Sequence, residues 1–168
     1  MNNTTSIDLQ ENNLIANNKV FLQGEVDSEP QFNHTAFDED FYTFNLKVAR
    51  LSGQYDILPI NISSHTIGFE NIKVGVSLAV NGQFRSHNML DEQGKSRLIL
   101  SVFCKELVDV DINANPNVIE LTGYVCKSPI FRVTPFNRQI CDVLLAVNRQ
   151  YNKSDYIPCI CWGRNAEY

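Results

Sequence analysis

The sequence predicts an all-β protein of two tandem five-stranded barrels, the second incomplete in this chain. Three observations carry that prediction: an internal repeat, a β-type pattern within the repeat unit, and a second copy that stops early. Shifted by 99 positions, the chain aligns with itself without a gap. Leu22 falls on Leu121, Gly24 on Gly123, Val26 on Val125, Pro30 on Pro129, Phe32 on Phe131 and Thr35 on Thr134. The identities continue with Phe37 on Phe136, Leu46 on Leu145, Val48 on Val147, Arg50 on Arg149, Asp56 on Asp155 and Pro59 on Pro158. Twelve identities with no insertion between residues 22 and 59 mark a tandem duplication.

Within the unit, Gly, Pro, Asn and Asp positions divide short apolar-alternating runs. Residues 1–17 are polar and are expected to be a disordered tail. The first copy, 18–108, then offers strands at 19–29, 41–50 and 55–63, a helical turn or two within 65–71, and strands at 77–85 and 97–106. The last two strands join through Asp91-Glu-Gln-Gly94, which has the chemistry of a hairpin turn. Five strands with a short helix after the third are the plan of a small closed barrel, the oligonucleotide/oligosaccharide-binding (OB) fold. Closure also removes exposed sheet edges. Residues 109–116 have the Asn, Asp and Pro content of a linker. The second copy, 117–168, has counterparts of the first three strands only. A half barrel buries little surface and leaves an edge open, which implies either a shortened product or completion by another chain.

Composition limits what such a chain does. It has 168 residues, 43% hydrophobic and 20% charged, ordinary for a soluble globular protein. No window approaches 18 consecutive apolar residues, and the start is Asn/Thr-rich rather than basic then apolar. Neither a helical membrane span nor a secretory signal is expected. Cys104, Cys126, Cys141, Cys159 and Cys161 are odd in number and widely spaced, and read as reduced thiols acting as small hydrophobes.

The net charge of -5 argues at first against a nucleic-acid binder. Its distribution reverses that argument. Residues 18–69 hold three Lys/Arg and seven Asp/Glu, whereas the matched 117–168 hold six and four. Lys127, Arg132, Arg138, Lys153 and Arg164 stand where the first copy has Ser28, Asn33, Glu39, Gln54 and His65. In the strand 155–162, alternation puts Ile157, Cys159 and Cys161 on one face and Tyr156, Pro158, Ile160 and Trp162 on the other. With Arg149 and Tyr151 ending the neighbouring strand, the second face is an aromatic platform ringed by cations. Such platforms bind single-stranded nucleic acid, because rings stack bases and Lys/Arg follow phosphates. The first copy has Ile57, Pro59, Asn61 and Ser63 on that face, and Ser52 for Tyr151. Exposed aromatics on a sheet are equally the look of a protein interface, so an interaction or adaptor module is the competing reading.

Gly123-Tyr-Val-Cys-Lys-Ser-Pro129, Phe131-Arg-Val-Thr-Pro135, Leu145-Ala-Val-Asn-Arg149 and the run from Tyr156 through Trp162 to Glu167 resemble the bacterial single-stranded DNA-binding protein family. The resemblance covers 117–168 and, more weakly, 18–63. It implies a non-catalytic protein that binds single-stranded DNA without sequence preference in replication, repair or recombination. It also implies a cytoplasmic, nucleoid-associated location, a homo-oligomer such as a dimer, and no cofactor. The family's stacking aromatics fall on Tyr151, Tyr156 and Trp162, and its backbone-contacting cations on Arg132, Arg149 and Arg164. Lys153, Arg138 and Lys127 add to the basic set. Arg50, Phe84, Arg85 and Arg97 would extend the path over the first copy, where they otherwise form a solvated hairpin. Pro158 departs from a position usually basic or polar in the family, and no acidic tip for recruiting partners is present in this chain. Stacking and phosphate contacts serve DNA and RNA alike.

Other chemistry has little support. His34, His65 and His87 stand apart with no nucleophile elbow or phosphate loop, so no catalytic residue is expected. Cys159 and Cys161 lack the spacing and second pair of a zinc site, and no metal is expected. Phe32, Phe37, Phe131 and Phe136 recur in both copies and are read as core.

Overall fold

The computed structural model describes residues 17–167. The expected tail, 1–17, lies outside the described residues apart from Asn17. Six strands build the first unit: β1 (Asn18–Val26), β2 (Gln31–Ala36), β3 (Glu39–Ala49), β4 (Tyr55–Ser63), β5 (Ser77–Leu90) and β6 (Ser96–Val108). Five of them close a ring. β1 meets β3 through Glu25↔Lys47 and Val26↔Leu46, β3 pairs antiparallel with β4, and β4 runs parallel to β6 at Ile60↔Val102. β6 pairs with β5, and β5 returns to β1. The helical segment expected within 65–71 is a single 3-10 turn, Phe69–Asn71, between β4 and β5. Inside the ring Leu22, Val26, Phe44, Leu46, Val48, Ile60, Ile62 and Val80 are fully buried. Each such side chain contributes about 1.5–3 kcal/mol through loss of apolar surface from water.

The second unit is β7 (Asn117–Leu121), β8 (Tyr124–Val125), β9 (Ile130–Val133), β10 (Gln139–Arg149) and β11 (Lys153–Trp162), ending in a 3-10 turn, Gly163–Ala166. β8, β9 and β11 all pair with β10. The 99-residue shift holds in three dimensions. Tyr124↔Ala146 and Val125↔Leu145 repeat Glu25↔Lys47 and Val26↔Leu46, and Ile140↔Trp162 repeats Phe41↔Ser63. Gly123 is fixed by this register. A Cβ there would collide with the Ala146 carbonyl oxygen, as one on Gly24 would with that of Lys47. Backbones approach this closely only beside glycine. Gly123→Ala is expected to destabilise the protein by about 1–3 kcal/mol, the range of overpacking in a rigid environment, read as a lower urea midpoint.

What the two units do not share is cover. Val26 is 0% exposed, whereas its counterpart Val125 is 55% exposed. The first unit lays the β5–β6 hairpin over its inner face, and the described part of the second has no equivalent. Its buried apolar residues are Ile140, Cys141, Val147, Ile157 and Ala166.

β7 joins the units by pairing antiparallel with the first half of β1, centred on Val20↔Ile119. Those two residues are themselves repeat equivalents, so the pairing is two-fold symmetric, like the self-complementary contact of a dimer made within one chain. The segment 109–116 is tied along β1. Gln23 donates its Nε2–H to the Asp111 carbonyl at 2.7 Å and its backbone N–H to that of Pro116 at 2.9 Å.

Three expectations need correction. The segments 31–36 and 130–133 are strands, paired on β3 and β10 as hairpin arms. Phe32, Phe37, Phe131 and Phe136 lie on or beside those arms and are exposed, Phe37 almost completely. The arms project from the sheets, so side chains on them have no second layer to enter. Recurrence in both copies reflected common descent rather than a core. The hairpin strands are also longer than expected, reaching Leu90 and Val108, because their outer ends stand clear of the ring.

Candidate nucleic-acid interface

The outward face of the second sheet is organised in cross-strand rows, which follow from register alone. Tyr124, Ala146 and Tyr156 form one row, Leu144 and Pro158 the next, then Ile130, Asp142 and Ile160, then Arg132, Ile140 and Trp162. Burial alternates along β11 as a two-residue period requires. Asp155 and Ile157 are buried and Cys159 and Cys161 half-buried, while Tyr156, Pro158, Ile160 and Trp162 are exposed. Tyr156 and Trp162 expose 50% and 52% of their surface, enough for a ring face to receive a base. Tyr124 shares the row of Tyr156, separated by the small Ala146, and is 71% exposed. Sequence reading passed over Tyr124. The comparison that singled out Tyr151 would have found it, since the first copy has Glu25 at that position.

Tyr151 lies beyond this face, in the turn joining β10 to β11, and is 91% exposed. Its φ of +60° and that of Asn152, +55°, are left-handed, a region costly for a bulky residue. The first copy uses Ser52 and Gly53 there. A strained, wholly exposed aromatic has no stabilising role that the fold requires. Tyr151→Gly is accordingly expected to raise the unfolding free energy by about 1 kcal/mol while weakening oligonucleotide binding several-fold. Denaturation and titration of one preparation check both signs.

The cations divide into free and engaged. Arg132 is held by Asp142, with Nε donating to Oδ2 at 2.6 Å and Nη2 to Oδ1 at 3.2 Å. That pairing keeps the Asp142 carboxyl below the usual carboxylate range. The first copy has an uncharged version, Asn33 donating to Thr43 Oγ1 at 2.9 Å. Arg149 contacts the fully buried Asp155 at 3.4 Å. Lys127, in the loop before β9, Arg138, at the β9–β10 turn, Lys153, at the start of β11, and Arg164, in the last 3-10 turn, are exposed and form no ion pair among the described residues.

The candidate extension over the first unit is dispersed. Phe84 packs against the first unit's core instead of facing solvent, its backbone clamped by the Asn18 side chain. Arg50 pairs with Asp56 and Arg97 with Asp91. Arg85 crosses to the second unit, donating to Asp155 Oδ2 at 3.1 Å. Asp155 also accepts from the Ser86 backbone N–H at 2.8 Å, and the Tyr156 N–H donates to Ser86 Oγ at 2.7 Å. Asp155 therefore sits between two arginines at the seam. Burial and then the neighbouring Arg149 push the Arg85 guanidinium below its ordinary pKa, against the pull of Asp155.

The cysteines sort by cover. Cys126 is exposed and Cys104 buried, with burial raising the Cys104 thiol to about 12. Among the described residues no three His, Cys, Asp or Glu side chains converge as a metal site would.

Residues 116–168 match the single-strand binding protein family. No curated protein matches the chain. Among solved structures it is similar to the wild-type single-stranded DNA binding protein from Thermus aquaticus, at 21% identity and a TM-score of 0.65, over 89% of this chain and 76% of that one. A deletion mutant of that protein gives 19% identity and a TM-score of 0.67, over 89% and 77%. The dimeric N-terminal domain of PriB from Thermoanaerobacter tencongensis is 37% identical, over 56% of this chain and 98% of that one, with a TM-score of 0.47. The Thermus likenesses give the fold: the strand plan read from the sequence is that of OB-fold proteins.

Proposed function

Because residues 116–168 match the single-strand binding protein family, we propose that this chain binds single-stranded DNA through the outward face of its second sheet, without sequence preference. Bases stack on Tyr124, Tyr156 and Trp162, with Tyr151 at the far end, and phosphates meet Lys127, Arg138, Lys153 and Arg164. Arg132 and Arg149 join them to the extent that a phosphate competes with Asp142 and Asp155. The mechanism is non-covalent: ring faces contribute roughly 1–3 kcal/mol per base and accept any base, while cations release condensed counterions. The observation that carries this reading is the row of exposed aromatics on a sheet from the family-matched segment. Its repeat counterpart has the same register, with Glu25, Ile57 and Ser63 in place of those three rings. Residues 18–108 serve as scaffold, 109–116 as the tied joint and 117–168 as the binding unit, in a protein of replication, repair or recombination.

A second reading has one observation in its favour. The inner face of the second sheet is uncovered at Val125, as an apolar association surface would be. Salt separates the two. Four or five phosphate contacts predict a log–log slope of about -3 for oligonucleotide affinity. Binding through apolar area is nearly flat in salt, and a flat dependence would favour the interaction-module reading.

A further inference from the structure

Between the two units, beside the seam rather than on the platform, lies a cleft of about 400 Å³. Its walls bring together cations far apart in sequence: Arg85 and Lys105 from the β5–β6 hairpin, Arg149 and Lys153 from the β10–β11 hairpin. One carboxylate, Asp155, answers Arg85 and Arg149 together. Lys105 and Lys153 have no acidic partner among the described residues. The ammonium of Lys105 is pushed below its ordinary pKa, first by burial and then by the neighbouring Arg85. Positive charge is therefore concentrated here beyond what the described residues neutralise. The exposed ring of Tyr151 lines the same cleft. Surplus cations call for an anion, and the exposed Tyr151 ring for a flat group to stack on it. A nucleotide within a strand supplies both.

We propose that the cleft binds a nucleotide of the same single strand, its phosphate held by cations of both units, so that the bound strand crosses from the platform over the seam. This rests on the single-strand reading above and deepens it. The first unit then supplies contacts as well as support, through Lys105 and Arg85 rather than through the dispersed Arg50, Phe84 and Arg97. Arg85 also holds the seam through Asp155, so its removal tests folding and binding together. Lys105 is the cleaner probe, since its side chain has no ion pair among the described residues.

The experiment titrates wild type, Lys105→Gln and Trp162→Ala with thymine oligonucleotides of about 6 and about 20 nucleotides, bracketing the span of one OB unit. Thermal melting checks that each variant stays folded. The proposal expects Lys105→Gln to weaken the longer strand about five- to tenfold, to reduce its salt slope by about 0.7, and to leave the shorter strand unchanged. Trp162→Ala weakens both lengths. If Lys105→Gln leaves affinity and slope unchanged at both lengths while Trp162→Ala weakens them, the crossing is wrong and the platform stands. Equal weakening of both lengths by Lys105→Gln would also overturn a strand path that reaches the cleft last. If wild type binds neither length, the single-strand reading itself fails.

Discussion

Replacing Tyr156 and Trp162 together by alanine is expected to weaken binding to a thymine oligonucleotide by roughly two to four orders of magnitude, leaving the urea midpoint little changed. Each ring offers about half its surface to solvent, so truncation costs the fold little. Each stacked base is worth roughly 1–3 kcal/mol, and two lost stacks give the stated range. The salt slope should stay near that of wild type, because no phosphate contact is removed. The same double replacement at Ile57 and Ser63, the repeat counterparts on β4, is expected to leave affinity within about twofold. A comparable loss at those positions would mean that the face of the first sheet binds as well, and that the difference in rings between the copies is not what localises the strand.

Removing Asp155 is expected to have the largest structural effect of any single carboxylate among the described residues. Asp155→Ala removes the fully buried carboxylate that separates Arg85 from Arg149 and leaves the two guanidiniums facing each other. Breaking one side of a buried pair costs about 3–5 kcal/mol. Here the lower end applies, since both guanidiniums keep some access to water. The loss should fall on the contact between units, so amide exchange at Ser86 and Tyr156 should accelerate before that of the first unit's core. The repeat supplies the control. Asp56 makes the same pair with Arg50 but lies at the surface, and Asp56→Ala should cost less than about 1 kcal/mol. Equal costs at the two positions would show that Asp155 does not hold the units together.

The repeat explains why so much of the fold was legible. A shift of 99 that aligned Val26 with Val125 and Leu46 with Leu145 on paper also aligns their pairing across the strands. Alternation along 155–162 was readable because a strand has a period of two whatever it packs against. Contacts that depend on register were not. Arg132 and Asp142 are ten residues apart, and their pairing requires knowing that β9 lies on β10. The four cations of the seam come from two hairpins well separated in sequence, brought together across the β1–β7 pairing. Phe37 and Phe136 misled for a different reason: hydrophobicity marks a core only where a second layer exists. Lys105 drew no attention because its charge gained meaning only opposite Arg149 and Lys153.

The central claim is that bases stack on the outward face of the second sheet, and one side chain reports it directly. Trp162 is the only tryptophan in the chain, so its fluorescence is an unmixed signal from that face. The measurement is its emission during titration with a thymine oligonucleotide at low and moderate salt, alongside anisotropy of the labelled strand. The account predicts strong quenching that saturates with the anisotropy change and shifts to weaker affinity as salt rises. Anisotropy that reports binding while Trp162 emission stays constant would contradict it, because the strand would then lie elsewhere on the protein.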